Sequence, residues 1–275
     1  MHPVAIHNSF PTEPVDAMCL LIFAHRVSAR HPLVVAANRD EFHARPTAIS
    51  DFWAGHPDLL AGRDLEQGGT WMGTTRNGRF AAITNYRDPS RTAPAPRSRG
   101  ELPLHYLTGR QDPKDYLSGI AEQAAEYAGF NLLLGNRDEL WYFTNSLPAA
   151  ERAPLCLPPG IYGLSNARLD TLWPKVDLGK TQLKNLLDSG PPSHDALAVV
   201  VSDRGLADLH ALRPHGMETE MDQLLSAQFI VTGRYGTRSS TTLWTDSNGL
   251  ASWRELNFDG MGEIRDVREF EFALV

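Results

Sequence analysis

Short apolar runs separated by turn residues dominate the sequence, and most of these runs have the length of a β-strand. Residues 19–24 and 33–37 are two such runs with a polar break between them, a pattern typical of a hairpin of buried strands. Asn77-Gly78 divides two further runs, and this dipeptide favours a tight type I′ connection because both residues tolerate a positive φ. The pattern recurs around residues 136–139 and 246–249. We therefore predict that antiparallel sheet dominates the fold.

Four segments carry apolar residues at spacings of three and four, as amphipathic helices with one buried side do. They are residues 100–108, 113–127, 172–187 and 217–225. Strand hairpins with helices grouped between them are typical of an α+β layered architecture and not of alternating βαβ units. Residues 87–99 are rich in proline, arginine and serine, and we interpret them as an exposed, solvated loop.

Composition places the chain among globular proteins with a substantial core. It has 275 residues, of which 42% are hydrophobic and 21% charged, so we predict one domain over residues 19–275. Residues 1–18 contain neither the basic start nor the apolar stretch of a secretory signal, and we interpret them as a disordered extension or a propeptide. No apolar run approaches the roughly 18 residues that a membrane span requires.

Charge and cysteine content limit the partners and the compartment. The formal net charge of −7 gives no general attraction to phosphate backbones or anionic lipid, so nucleic acid is not expected as a partner. The two cysteines, Cys19 and Cys156, are too few for a disulfide scaffold, and the cytoplasm is the default compartment. The sequence leaves the oligomeric state open.

Cys19 opens the first apolar run directly after Met18. A cysteine at a strand start is commonly a small core hydrophobe. If translation began at Met18, or if residues 1–18 were removed, Cys19 would instead carry a free α-amino group, whose pKa of about 8 makes it a workable base. The thiol and the amine would then form the nucleophile and the base of an N-terminal-nucleophile enzyme.

Four further side chains are candidates for the same site. Asp40 lies in the polar segment that ends the second apolar run, which is either a surface turn or the source of a carboxylate that holds the amine or thiol of Cys19. Asn85 and Asn166 end strands and either cap them or supply neutral donors to an acyl oxyanion. Arg238 enters a threonine-rich strand, where we expect it to pair with Asp40 or with a bound anion.

Other common site motifs are absent from the sequence. There is no His-Glu-x-x-His and no Cys-x-x-Cys, so we predict no metal site. There is also no phosphate loop, no dinucleotide-binding glycine pattern and no Gly-x-Ser-x-Gly, and residues 68–73 fit a bend into a strand instead. His25, His43 and His105 could ligate a haem iron, although a lone histidine is more often an ordinary surface or core residue.

Taken together, the chain resembles the NRDE proteins, also called the transport and Golgi organisation family. The matching motifs, in chain order, are MC at 18–19, AANRDEF at 36–42, GGTWMG at 68–73, ITNY at 83–86, RGEL at 99–102, GFNL at 129–132, YGLSN at 162–166, Trp173 and YGTR at 235–238. They run almost to the C-terminus, so the resemblance covers nearly the whole chain. It implies a cytoplasmic protein, linked in eukaryotes to secretory-pathway organisation, mitochondrial and lipid metabolism, and haem trafficking.

The chain is more distantly similar to the choloylglycine hydrolase and penicillin V acylase family of N-terminal-nucleophile enzymes. This likeness implies a four-layer αββα sandwich of two antiparallel sheets. The site residues that it implies are the nucleophile Cys19, the amine-orienting carboxylate Asp40, the oxyanion- and amine-binding asparagines Asn85 and Asn166, and the supporting arginine Arg238. One departure is Ala37, which stands where those enzymes usually have an arginine, and Arg39 either compensates for it or points elsewhere.

The sequence leaves three functions open. In the first, a cysteine N-terminal-nucleophile amidohydrolase or acyltransferase acts on a small acylated molecule, with Asn38, Arg39 and Tyr86 as substrate-binding residues. It needs no cofactor, but it requires a free amine on Cys19. In the second, a non-catalytic carrier uses the same cleft to hold haem or a lipid-like ligand. The third is a scaffold with a degenerate site. We favour the enzyme.

Overall fold

The computed structural model of the chain describes residues 19–87 and 95–275. The interpretation of residues 1–18 as an extension, and that of residues 88–94 as part of a loop, lie outside the described residues. The strands are β1 (Cys19–His25), β2 (Leu33–Phe42), β3 (Thr47–Trp53), β4 (His56–Asp64), β5 (Met72–Thr75), β6 (Phe80–Asn85), β7 (Phe130–Gly135), β8 (Leu140–Thr144), β9 (Leu155–Cys156), β10 (Gly160–Leu164), β11 (Tyr235–Thr245), β12 (Leu250–Phe258) and β13 (Ile264–Ala273). The α-helices are α1 (Glu101–Thr108), α2 (Pro113–Gln123), α3 (Pro174–Ser189), α4 (His194–Val199), α5 (Leu209–Leu212) and α6 (Glu220–Leu224).

The strands form two antiparallel sheets. Sheet I has the order β10-β1-β2-β11-β12-β13, and sheet II has the order β3-β4-β5-β6-β7-β8-β9. The predicted hairpins are confirmed, since β1 pairs with β2, β5 with β6, β7 with β8 and β11 with β12. The long strand β11 lies between β2 and β12, so distant parts of the sequence meet in the middle of sheet I.

Three layers of apolar side chains separate the sheets and the helices. Between the sheets, Phe23 of β1 shares a core with Leu133 of β7. Residues next to one another in a strand point to opposite faces, so Ile22 packs outward, in a core with Leu183 of α3. A third core joins the outer face of sheet II to α1 through Leu102 and to α2. The order is helix, sheet, sheet, helix, and the predicted αββα sandwich is confirmed.

The hairpin at Asn77-Gly78 forms, but its turn is not the predicted type I′. Gly78 has a φ of +80°, whereas Asn77 has no positive φ. The Gly78 N–H donates to Thr75 O over 2.9 Å, and the Thr75 N–H donates to Arg79 O over 3.0 Å, so three residues connect the strands. A type I′ turn needs a positive φ at both central residues, but a three-residue connection needs it only at the last.

The predicted helices are confirmed with adjusted ends. The ends of α1 and α3 lie within two residues of the predicted ones. A 3-10 turn over Ala124–Glu126 follows α2. The helix α6 starts only at Glu220, because Thr219 and Asp222 form a capping box that fixes its N-terminus. The sequence pattern does not predict α4 and α5, which are too short for periodicity to be visible. Among the described residues, no helix is long and apolar enough to cross a membrane.

Candidate functional site

Cys19 is the first residue of β1 and lies opposite Arg39 of β2 in the strand register. Paired residues of antiparallel strands point to the same face of a sheet, and here that face looks toward sheet II, as it does for Leu21. Cys19 is half-buried at a cavity of about 300 Å³ between the sheets. Arg39, Asp40 and Asn85 line the same cavity. The structure thus brings four of the predicted site residues to one opening.

The loop after β10 holds the backbone of Cys19. The Cys19 N–H donates to Oδ1 of Asn166 over 3.0 Å, and the hydroxyl of Ser165 donates to the Cys19 carbonyl oxygen over 2.7 Å. Nδ2 of Asn166 donates to the carbonyl oxygen of Asn85 over 3.0 Å, which ties the end of β10 to the end of β6. The buried Asn166 therefore positions the nitrogen of Cys19.

The thiol of Cys19 is protonated at neutral pH in the described chain. Burial of the thiol and the nearby carboxylate of Asp40 raise its pKa to about 12. A hydrogen bond from the Asp40 backbone N–H to the sulfur and the positive charge of Arg39 oppose this rise. While Met18 is joined to the Cys19 nitrogen, that nitrogen is an amide and cannot take the thiol proton. A free amine is thus the condition for a reactive thiol.

The side chain of Asp40 is fully buried and faces the helix layer of sheet I. Its Oδ1 accepts a hydrogen bond of 2.6 Å from the Thr237 hydroxyl, whereas its Oδ2 has no hydrogen-bond partner within the described residues. Burial raises the pKa of Asp40 to about 6, and the charge of Lys175 and the Thr237 bond limit the rise. A buried carboxylate oxygen of this kind is able to accept one further donor.

Lys175 is a charged neighbour of the site that the sequence analysis does not identify. It lies in the first turn of α3, is only 3% exposed, and donates from Nζ to Leu225 O over 2.9 Å. Burial lowers its pKa, and the electrostatic influence of Asp40, followed by that of Cys19, opposes this. The first turn of a helix is the positive end of its dipole, where a lysine is unfavourable. This unusual position is the feature of the sequence that could have identified Lys175.

Arg39 supplies a positive charge beside the Cys19 thiol. Its guanidinium lies 4.4 Å from the centre of the Trp71 ring, and Nη2 is 3.5 Å from Oε2 of Glu41. Nη1 is buried and has no hydrogen-bond partner in the described part of the chain. The positive charge of Arg39 lowers the pKa of the Cys19 thiol.

Two predicted substrate-binding residues lie away from the cavity. Asn38 is buried on the helix side of β2, where Nδ2 donates to the carbonyl oxygens of Val201 and Gln228, both over 2.7 Å. Its Oδ1 accepts a hydrogen bond of 2.6 Å from Ser240. Its side chain lies on the helix side of sheet I, because neighbouring residues of a strand face opposite sides. Tyr86 is half-buried and does not line the cavity either.

Arg238 lies at a β-bulge of β11, and the ion pair with Asp40 that the sequence suggested does not form. The bulge turns the side chain away, and the guanidinium donates to the carbonyl oxygen of Phe42 over 3.1 Å and to that of Arg45. Asp40 accepts from Thr237 instead. Arg238 therefore supports the backbone that follows β2 and does not face the thiol.

The three histidines considered as haem ligands do not line this cavity. His25 ends β1, His43 follows β2 and His105 lies in α1. Across residues 19–87 and 95–275, no three His, Cys, Asp or Glu side chains come together as a metal-ligand group. Besides the thiol, the cavity is lined by several carboxyl and guanidinium groups and by the amide of Asn85.

Comparison with known proteins identifies the family. The sequence profile described as Transport and Golgi organisation 2 matches residues 18–260. The Transport and Golgi organization protein 2 homolog of Bos taurus is 36% identical over 94% of this chain and 99% of its own length, and that of Homo sapiens is 34% identical over the same shares. Among solved structures, conjugated bile acid hydrolase from Clostridium perfringens aligns over 93% of this chain and 97% of its own, with 7% identity and a TM-score of 0.43. The chain therefore belongs to the Transport and Golgi organisation 2 family.

Proposed function

We propose that this chain, once Cys19 carries a free α-amino group, is a cysteine N-terminal-nucleophile enzyme that hydrolyses small amides or transfers their acyl groups. The observation that carries the proposal is the arrangement around Cys19. Its nitrogen is held by Asn166, the positive charge of Arg39 acts on its sulfur, and the residue lies at a cavity of about 300 Å³. A nucleophile and its base are thus positioned within one residue.

The reaction begins when the amine of Cys19 takes the thiol proton and the sulfur attacks the carbonyl carbon of the amide. An S–C bond forms and the carbonyl oxygen becomes an oxyanion. The C–N bond then breaks, and the ammonium returns its proton to the leaving nitrogen, which departs as an amine. Water attacks the thioester with the same amine as base, which releases a carboxylic acid and restores the thiol. An acceptor amine in place of water gives acyl transfer.

Each neighbouring side chain has a separate role in this scheme. Asn85, at the cavity wall, is the side-chain donor that we assign to the oxyanion. Asn166 is already committed at both ends of its amide, so we assign it to holding the Cys19 nitrogen. The unpartnered Oδ2 of Asp40 is the acceptor that we assign to an N–H of the free amine, and Arg39 stabilises the thiolate.

The test compares two forms of the protein, one beginning at Cys19 and one containing residues 1–275. Both are incubated with a series of N-acyl aminocoumarins of increasing acyl length, and released fluorescence and intact mass are recorded. We expect release and an acyl adduct on Cys19 only in the form with the free amine. Asn85→Ala should reduce turnover by about 10²–10³-fold, the usual effect of removing one oxyanion donor.

Two variants complete the design. Cys19→Ala should abolish both release and adduct, whereas Cys156→Ser, at an exposed position away from the cavity, should leave them unchanged. Equal turnover by the two forms, or turnover that survives Cys19→Ala, would show that the amine and the thiol are not the base and the nucleophile.

The second candidate is a carrier role for the uncut chain. With Cys19 in an amide bond its thiol has a pKa of about 12, so the cavity is present without an active nucleophile. In this candidate, the uncut form holds haem or a lipid-like ligand there without covalent reaction. Titration of the full-length protein with haemin, followed by absorbance, tests this role, and binding that is unaffected by Trp71→Ala at the cavity wall would argue against it.

We also propose that the protein works in a reducing compartment such as the cytoplasm. Both Cys19 and Cys156 are free thiols, and the mechanism needs the first of them reduced. Thiol labelling of the protein taken directly from cells checks this, and an oxidised Cys19 in the active form would contradict it.

A further inference from the structure

Two oppositely charged side chains are buried together on the helix side of sheet I. Asp40 on β2 is 0% exposed and Lys175 on α3 is 3% exposed. They do not form a direct ion pair among the described residues, because Lys175 Nζ instead donates to Leu225 O over 2.9 Å. An ionised side chain that is buried without a direct counter-ion is costly, so such a residue is seldom present for packing alone.

The charges that act on this pair come from few elements. Arg39 and Glu41 of β2, Lys175 of α3 and Cys19 of β1 act on Asp40, and β11 contributes the neutral hydroxyl of Thr237. Asp40 and Cys19 are the charged or titratable groups that act on Lys175. The carboxylate of Asp40 and the thiol of Cys19 thus act on the Lys175 ammonium through their electrostatic field, and the hydrogen bond to Leu225 O holds that ammonium in place.

We infer that Lys175 is a positioning residue of the proposed reaction, whose buried ammonium keeps Asp40 ionised and balances its charge at the Cys19 nitrogen. The catalytic meaning of this inference rests on the proposed function, but the coupling of the two charges does not. An isolated carboxylate would hold the amine of Cys19 in its protonated form, in which it is no base. With Lys175 present the buried pair is neutral overall, so the carboxylate does not by itself hold the amine of Cys19 in its protonated form.

The first experiment measures the coupling from the lysine side. The chain has four lysines, at 114, 175, 180 and 184, so protein labelled with ¹³C at the lysine ε carbon gives a simple spectrum to follow against pH. Lys175→Arg removes one signal and assigns it. We expect Asp40→Asn, which keeps an acceptor for Thr237, to lower the pKa of Lys175 by about one unit or more, as the loss of a nearby opposite charge does.

The second experiment measures the same coupling from the aspartate side. Labelling with ¹³C at the aspartate γ carbon reports the titration of Asp40, whose signal disappears in Asp40→Asn. We expect Lys175→Met to raise the pKa of Asp40 by the same amount, because coupling between two sites is reciprocal, and Lys175→Arg to restore it. Lys180→Met is the matched control, since Lys180 is on the same helix but pairs with Asp170 at 2.7 Å.

The outcomes separate this inference from the proposed function. Both titrations use the full-length protein without substrate, so they are informative even if no amide is ever hydrolysed. If Lys175→Met does not fold, the Asp40→Asn measurement alone decides. A Lys175 pKa that does not change in Asp40→Asn would overturn the inference, and so would an Asp40 pKa that changes equally in Lys175→Met and Lys180→Met.

Discussion

Relative to the wild type, the variant Asp40→Asn should gain stability as the pH rises. Burial raises the pKa of Asp40 from 3.8 to about 6, so the ionised form of this side chain is disfavoured in the folded state. A shift of about two units corresponds to about 3 kcal/mol, at roughly 1.4 kcal/mol per unit. Because the pKa of Asp40 is higher in the folded than in the unfolded state, the contribution of this side chain to stability is greatest below pH 3.8. This contribution is lost as the pH rises through about 6. Asparagine carries no charge and escapes this loss.

The assay is urea unfolding of the wild type and of Asp40→Asn at a series of pH values from 4 to 8. The difference between their free energies of unfolding should grow by about 2.5 kcal/mol in favour of the variant over this range, because a small part of the effect is already present at pH 4. Contributions that do not depend on pH, such as an imperfect amide hydrogen bond, cancel from that change. A difference that stays flat, or one that grows in favour of the wild type, would refute the reasoning.

Asp64→Asn is the matched control for this experiment. Although burial acts to raise it, the hydrogen bond from Arg45 and those from backbone N–H groups lower the pKa of Asp64 overall. A lowered pKa adds stability above the unfolded-state value, and this stability is lost as the pH falls through the folded-state pKa. Asp64→Asn should therefore be less stable than the wild type at pH 8, and the deficit should shrink toward acid pH.

Three further predictions follow from single contacts. In the full-length protein at pH 8, iodoacetamide should label the exposed Cys156 but not Cys19, because a thiol with a pKa of about 12 has only about one part in 10⁴ as thiolate, and peptide mass mapping reads this out. Asn38→Ala should lower the free energy of unfolding in urea by about 2–4 kcal/mol, since two buried carbonyls and a hydroxyl lose their partner, and a loss below 1 kcal/mol would contradict this. Gly78→Ala should cost about 1–2 kcal/mol, because its φ is +80° and a Cβ would lie 2.7 Å from Cγ of Arg137, and an unchanged melting temperature would count against it.

The sequence predicts the central hairpins and the layers because their signals are local. Buried strands such as β1 and β2 read as continuous apolar runs, and a turn between two runs fixes the pairing. The edge strands β3 and β13 carry charged or polar residues along much of their length, as exposed edges commonly do, so their runs are not visible. The apolar pattern of the sequence alone therefore does not predict these edge strands of the two sheets.

The sequence predicts most of the residues of the candidate site but only some of the contacts between them. Cys19, Asp40 and Asn85 line one cavity because each lies at or near the end of a strand. Lys175 reaches the site from a helix far along the chain, and no spacing in the sequence connects it to Asp40. The direction of the Arg238 side chain depends on a shift of one residue in the pairing of β11 with β2. The apolar pattern of the sequence does not specify where such a shift occurs.

The bulge at Arg238 reverses which side chains of β11 face the helices. Before it, odd-numbered side chains such as Tyr235 and Thr237 face the helices, and after it the even-numbered Ser240 and Thr242 do. Deleting one residue here would exchange the two faces of everything on one side of the cut. The number of residues in this segment is thus constrained more tightly than their identity. A single insertion or deletion would turn the Thr237 hydroxyl away from Asp40 even though every other residue is unchanged.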